Sequence, residues 1–537
     1  MRADGDEFGS TAARKRLILV VSGVLVMVIT ALGVLQLTPS ADSTEPAVAD
    51  EPPLSAGGVA DEFLTALASG RTTVAGALTD DPEAATTQLA HVWRTLAPTS
   101  VEAELSRAVD PAGGARFTLT WHLGAERAWT YENELHLVED GATWRVRWEP
   151  AVVHPRLMAG HGLVLRDRTG APAVRDRDGG PLLTWTEGGP SATSPPVAPM
   201  LLPGMARVAN GRGGGQAWYV ALVNPEGKEV GVVHGRRAPA ITTTLSRRVQ
   251  RAAQAAVDTR RLPAMLVAVQ PSTGDLLAVA QNAAAGDAPV ALNGLYPPGS
   301  TFKVATATAI LEAGTADLDT VLPCPGSVTV GQRTVRNADF ELGDVPLRTA
   351  FAHSCNTTFA AQSAGLPPDA LPRAADQLGL GADFAIPGIT TEAGSVRPAA
   401  NTAEQVENSI GQGTVRVSCF GLAVLTATVA SGEAVTPRLW RDLDTTVNAG
   451  YQPPPAPVVD SLRTMMREVV TAGSGTALAG HGDVAGKTGT AQVGDGSRAH
   501  GWFVGYRGDL AFATLVLDAS TSATAVEVTG AFLGATR

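Results

Sequence analysis

The sequence is poor in lysine. Its 537 residues hold 41 Lys plus Arg, yet only Lys15, Lys228, Lys303 and Lys487 are lysine. Arginine stays protonated in proteins, whereas lysine can lose its proton when desolvated. A lysine retained in so arginine-rich a chain is a candidate for a position where a guanidinium would not serve. Cysteine is also scarce. Cys324, Cys355 and Cys419 show no CxxC or zinc-ligand spacing, and the nine histidines form no HExxH. No metal and no cofactor is therefore expected. The formal charge of -11, with arginines scattered along the chain, gives no basic footprint for nucleic acid. One disulfide can form in an exported chain. The three pairings stay open, with Cys324–Cys355 favoured among them.

Long uncharged apolar runs are equally scarce, and LILVVSGVLVMVITALGVLQL, residues 17–37, stands out. It is long enough to cross a hydrocarbon core of ~30 Å as a helix. Arg14, Lys15 and Arg16 precede it, while Asp42, Glu45, Asp50 and Glu51 follow. That asymmetry predicts a cytoplasmic N-terminus and an extracytoplasmic remainder. A cleaved signal peptide and a buried core helix are the alternatives. The run is long for a signal peptide and lacks a good cleavage site just after it, so a single-pass membrane anchor is expected.

With 44% hydrophobic and 17% charged residues, the rest is globular, and its length predicts several domains. Residues 38–57 are rich in Pro, Ala, Ser and acid and form a linker. Val59, Phe63, Leu64 and Leu67 share a helical face stopped by Gly70, and residues 82–96 predict a second helix. The period then changes to two. Phe117, Leu119 and Trp121 alternate with polar residues, as do Trp129, Tyr131, Leu135 and Leu137, then Trp144, Val146 and Trp148. Residues 151–240 hold short apolar strands at 218–223 and 230–233, interrupted by GGPSATSPPVAP, residues 188–199, expected as a flexible insert. Beyond 241 come a small-faced helix through Val249, Ala252, Ala253, Ala256 and Val257, strands at 264–269 and 276–279, and a terminal hairpin turning at Arg507-Gly508-Asp509.

The chemistry concentrates at YPPGSTFKVATATAI, residues 296–310. Pro297-Pro298-Gly299 should end what precedes, so that Ser300 opens a helix. A serine there gains from free N–H groups and the helix dipole. Ser300 and Lys303 are spaced i, i+3 and share a face. Phe302 and Val304 imply poor hydration, which favours a neutral lysine able to take the serine proton.

Downstream lie Ser354-Cys355-Asn356 and, much later, Lys487-Thr488-Gly489-Thr490. The order S-x-x-K, S-x-N, K-T-G resembles the signature of the penicilloyl-serine transferases, the penicillin-binding proteins and serine β-lactamases. Ser409 to Gly413, SIGQG, and Trp502-Phe503 are also similar to segments of penicillin-binding transpeptidase domains, whereas Ser418-Cys419 stands where that family commonly has Thr-Pro. Asp176-Arg177-Asp178-Gly179 resembles part of the D-R-x-G stretch of class B penicillin-binding proteins; a charged surface turn is the plainer reading. The two helices and meander of the N-terminal half resemble an NTF2-like domain.

The resemblance implies an α+β chain. Its parts are a cytoplasmic tail (1–16), a transmembrane helix (17–37), a linker (38–57), an NTF2-like domain (58–150), a pedestal or dimerisation-like module (151–240) and a transpeptidase domain (241–537). The last would be a transpeptidase/serine β-lactamase-like fold, a mixed sheet with helices on its faces and a helical subdomain. The implied activity is peptidoglycan D,D-transpeptidation. Ser300 would attack the carbonyl between two terminal D-alanines, with Lys303 as base. Ser354 would relay a proton, Asn356 would orient Lys303 and the substrate amide, and the N–H groups of Ser300 and Thr490 would hold the oxyanion. Lys487, Thr488 and Thr490 would meet the terminal carboxylate, and Gly489 would leave room for substrate on the strand. Implied partners are stem peptides, β-lactams and a glycosyltransferase or other cell-wall machinery. A D,D-carboxypeptidase, a β-lactamase and a non-turnover β-lactam sensor are the alternatives on the same site.

Overall fold

The helix Ala56–Ala68 shows how the N-terminal part begins. Val59, Ala60, Phe63, Leu64, Ala66 and Leu67 are its buried residues, a stripe at helical spacing. This is a computed structural model that describes residues 54–124, 126–213, 217–237, 239–494 and 496–536. The expected membrane helix at 17–37 and most of the linker lie outside the described residues. Among the described residues, no helix is long and apolar enough to cross a membrane. A short helix, Thr72–Ala77, separates Ala56–Ala68 from the expected helix Pro82–Leu96, which has Pro82 at its first position and the Asp81 carboxylate accepting from Ala84 N at 3.1 Å. That cap and proline set the start of the helix. The two longer helices belong to one apolar core with the sheet Ser100–Leu105, Gly114–His122, Ala128–Asp140, Thr143–Val146, which is antiparallel in that order. Ala115, Phe117, Leu119 and Trp121 are buried on one face of the second strand, the expected period of two. The strand Ser100–Leu105 was not foreseen, because only Val101 of it is buried.

Two smaller sheets follow. Glu229–His234, Trp218–Val223 and Gly162–Asp167 form one. Ile241–Thr242, Pro172–Arg175, Pro181–Thr186 and Gly189–Ala192 form the other. The stretch expected as a flexible insert is instead structured. Gly189–Ala192 pairs with Pro181–Thr186, Val197 and Ala198 are buried, and the helix Leu202–Gly213 follows. Gly189, at φ 108°, makes the tight hairpin turn, so glycine here encodes a turn and not a tether. Asp176 is buried rather than displayed on a surface turn. Its carboxylate meets Arg247 Nε at 2.7 Å and accepts from Asp178 N and Gly180 N. This clamp ties the turn at Asp176 to the first helix of the next region, Arg247–Val257.

The last region is built on a five-stranded sheet. Its order is Leu276–Gln281, Ala264–Val269, Ala511–Val516, Arg498–Arg507, Val484–Val493. The expected mixed sheet is in fact antiparallel at every pairing. Short turns join three neighbouring pairs, and short turns permit only antiparallel pairing. Ala264, Leu266 and Ala268 pack in a core with the helices Arg247–Val257 and Ala523–Ala535. Met265, Val267 and Val269 pack in another, with Lys303–Glu312 and Cys419–Ser431. A strand buried on both faces explains its unbroken apolar run. Arg507-Gly508-Asp509 is the hairpin turn, with Gly508 at φ 55° and Asp509 accepting from Ser272 N and Gln270 Nε2. The strand Val484–Val493 lies at the sheet's edge, and the site forms along it.

Candidate active site

Ser300 does not open an α-helix as expected. It sits in the 3-10 turn Gly299–Phe302, and the α-helix begins at Lys303. Tight seating explains the turn. Gly299 N donates to Gly411 O at 2.9 Å, and Trp502 Nε1 donates to Pro297 O at 3.0 Å. Gly299 holds φ 53°, and a Cβ there would lie 2.3 Å from Thr490 O. Only glycine fits that gap and that dihedral. The turn is thus wedged between SIGQG and the edge strand. Gly489 contributes to the same wedge. A Cβ on it would strike Thr301 Cγ2 at 2.7 Å and Pro298 O at 2.8 Å, so the room it leaves is filled by the turn that carries Ser300, not by open groove.

Lys303 is fully buried while Ser300 stays part-exposed. Lys303 Nζ lies 2.7 Å from Ser354 O, 2.6 Å from Asn356 Oδ1 and 3.2 Å from Ser354 Oγ. All three contacts have the amine as donor, so they fix where its nitrogen sits. Burial, reinforced by the charge of Lys487, holds the Lys303 pKa well below the ordinary lysine value. Lys487 is also fully buried, and burial lowers its pKa to about 7. Its Nζ donates to Thr488 O at 3.1 Å. The rings of Phe359 and Phe351 stand 5.6 and 5.5 Å from the two amines. Lys228, by contrast, lies exposed in a turn.

Ser354 is placed by the end of the helix Leu347–Ala352. Ser354 N donates to Phe351 O and Cys355 N donates to Ala350 O, with Ser354 at φ 65°. These are the two hydrogen bonds of a Schellman C-cap, whose left-handed position usually holds glycine. Asn356 then begins the helix Asn356–Ser363. Asn337, which the sequence did not single out, fixes that start. Its Oδ1 accepts from Asn356 N at 2.8 Å and Thr357 N at 3.2 Å, and its Nδ2 donates to Pro325 O. Asn356 Nδ2 donates to Arg336 O at 2.9 Å, which turns its Oδ1 toward Lys303. The favoured disulfide is present. Cys355, the middle residue of the S-x-N motif, is bonded to Cys324, while Cys419 is free and buried.

Ser474 is a second residue missed in the sequence. Its N and Oγ both meet Ala352 O, at 3.0 and 3.2 Å, and its Oγ lies 2.6 Å from Thr488 Oγ1. It links the K-T-G strand to the helix that carries Ser354. Its position thirteen residues before Lys487, in a Gly-Ser-Gly run, was the only signal available. Thr490 is exposed, and its Oγ1 accepts from Ser522 N at 3.1 Å. The three motifs, separated by up to 187 positions between Ser300 and Lys487 (487 − 300), therefore meet in one site. A part-exposed hydroxyl, a desolvated amine and a second hydroxyl beside that amine are a constellation suited to acyl transfer through serine.

Two parts of the chain match known protein families. Residues 55–161 match the NTF2-like N-terminal transpeptidase domain. The peptidoglycan D,D-transpeptidase PbpA of Mycobacterium tuberculosis is 28% identical over 318 residues, covering 50% of this chain and 64% of that protein. The penicillin-binding protein PbpB of Mycolicibacterium smegmatis is 33% identical over 221 residues, covering 37% of this chain and 33% of that protein. The chain thus spans less than two thirds of the curated relatives' length. Among solved structures, PBP2 of Pseudomonas aeruginosa superposes with a TM-score of 0.56 at 23% identity, over 69% of this chain and 96% of its own, and shares the fold. Residues 264–534 match the penicillin binding protein transpeptidase domain, and the chain belongs to that family.

Proposed function

We propose that the protein is a peptidoglycan D,D-transpeptidase that works through a Ser300 acyl-enzyme and is blocked covalently by β-lactams. The observation that carries this reading is the fully buried Lys303 amine, held on Ser354 and Asn356 one turn from the part-exposed Ser300. The neutral amine takes the Ser300 proton as Oγ attacks the carbonyl of the penultimate D-alanine. The N–H groups of Ser300 and Thr490 hold the oxyanion. The C–N bond then breaks. The leaving amine takes a proton relayed by Ser354, and D-alanine departs, leaving a Ser300 ester. The amine of a second stem peptide attacks that ester, loses its proton to the same lysine and frees Ser300. Lys487, Thr488 and Thr490 hold the terminal carboxylate of the acyl donor.

The setting follows from the same reading. Residues 17–37 anchor the chain once in the cell membrane, with the N-terminus cytoplasmic and the catalytic domain extracytoplasmic; the flanking charges support this. A glycosyltransferase or other cell-wall machinery is the partner, because cross-linking acts on polymerised strands. Fluorescent penicillin should label the wild type covalently and leave Ser300→Ala unlabelled; label on the variant would remove Ser300 as nucleophile. Incubation with a stem-peptide donor and an amine acceptor should give cross-linked product. Free tetrapeptide alone would make the protein a carboxypeptidase.

A further inference from the structure

Gln412, in the SIGQG segment, treats the edge strand as a partner strand would. With its amide oriented by its neighbours, the side-chain nitrogen donates to Gln492 O at 3.3 Å and the oxygen accepts from Gln492 N at 2.9 Å. One donor and one acceptor are what a paired residue of an added strand supplies. The segment behind it is well seated. Gln412 N donates to Glu407 O, Gly411 N to Asn408 O, and Gly411 O receives Gly299 N.

Strand parity tells which groups remain on the open edge. The strand Val484–Val493 pairs with Arg498–Arg507 on one side only. In an antiparallel strand, alternate residues direct their N–H and C=O to the same edge. Gln492 directs both toward Gln412, so Thr490 and Thr488 face the open edge as well. Thr488 O is already taken by Lys487 Nζ. Between Lys487 and Gln492, Thr490 is therefore the residue with both groups directed at an incoming chain, and Gln492 is where the edge is closed.

On the transpeptidase reading, the donor's carboxylate lies at Lys487 and its scissile carbonyl at Thr490 N–H. The acyl donor then runs antiparallel to the strand, with its upstream residues heading for Gln492. Thr490 pairs with the scissile D-alanine, and Gln492 would face the residue two places upstream. We infer that Gln412 is a specificity-determining residue that ends the acyl-donor groove. Its amide occupies the pairing position of that upstream residue, so the enzyme engages the acyl donor by backbone pairing at the scissile D-alanine and not beyond. This rests on the proposed function.

The test uses two acyl donors with the full chain. One is an N-acyl-D-alanyl thioester of thioglycolate. The other carries two more residues upstream, and is made both plain and N-methylated at the residue that would face Gln492. In the wild type, N-methylation should leave kcat/KM within about twofold. In Gln412→Ala the ratio of long to short donor should rise about 5–10-fold, and N-methylation should abolish the gain. Gln412→Met, which still covers the edge, should keep the wild-type ratio. The ratio cancels any general loss of activity in a variant. The inference is overturned if N-methylation already slows the wild type several-fold, or if Gln412→Ala leaves the ratio unchanged. If neither thioester acylates wild-type Ser300, the transpeptidase reading itself fails.

Discussion

Two helices of this protein end in the same backbone motif with different residues. Ala56–Ala68 ends with Gly70 N donating to Leu67 O at 3.1 Å and Arg71 N to Ala66 O at 2.9 Å. Leu347–Ala352 ends with Ser354 N donating to Phe351 O at 3.0 Å and Cys355 N to Ala350 O at 2.8 Å. The left-handed residue has φ 70° in the first and 65° in the second. Glycine adopts that dihedral freely, whereas a serine there carries a strain of about 1 kcal/mol. In the N-terminal domain the turn only stops a helix, and glycine suffices. Beside Lys303 the same turn must also present a hydroxyl. The strained serine persists there, with Asn337 and the Cys324–Cys355 bridge holding the residues that follow it.

The comparison can be broken from either end. Lys303→Arg keeps a long basic side chain but one that cannot give up its proton, and should slow acylation by fluorescent penicillin about 10³-fold or more. The wild-type rate should also be bell-shaped in pH. It rises as Lys303 loses its proton, since the base must be neutral, and falls as Lys487, near 7, loses the charge that holds a carboxylate. An active Arg variant, or a flat profile, would refute the roles of the two amines. Ser354→Gly should separate strain from function. Acylation should drop about 10–100-fold, while thermal melting shows a gain of about 1 kcal/mol. A loss of stability would show that Ser354 is not strained. Cys324→Ser with Cys355→Ser should cost about 2–4 kcal/mol of stability and slow acylation several-fold; unchanged acylation would uncouple the bridge from the site. Gly70→Ser should act on stability alone, by about 1 kcal/mol, more where Trp93, 3.1 Å from the added Cβ, resists. Any effect on acylation would mean that the N-terminal domain communicates with the site.

Much of the architecture was legible because it is periodic. The strand Ala264–Val269 has the expected bounds, and so does the helix Pro82–Leu96, whose cap and proline are adjacent in sequence. The side chains of the candidate site were legible because lysine is rare and the motifs are short. Asn337 and Ser474 were not, since each acts on backbone groups or on a residue brought near only by folding. Gly489 was visible, yet its neighbour was not. The space above it belongs to Thr301 and Pro298, 188 and 191 residues earlier (489 − 301 and 489 − 298).

By itself the sequence determined the chemical inventory: a serine and a lysine one turn apart, a second serine and asparagine, and a second lysine in a chain that otherwise relies on arginine. Local spacing and residue chemistry suffice for that, because nucleophilicity and the capacity to lose a proton belong to side-chain types. Only the tertiary structure decided that Lys487 is desolvated along with Lys303, that Ser354 rides a strained helix end, and that the edge strand is closed at Gln492. Desolvation, strain and edge closure depend on what surrounds a residue, and those surroundings come from segments far apart in the chain.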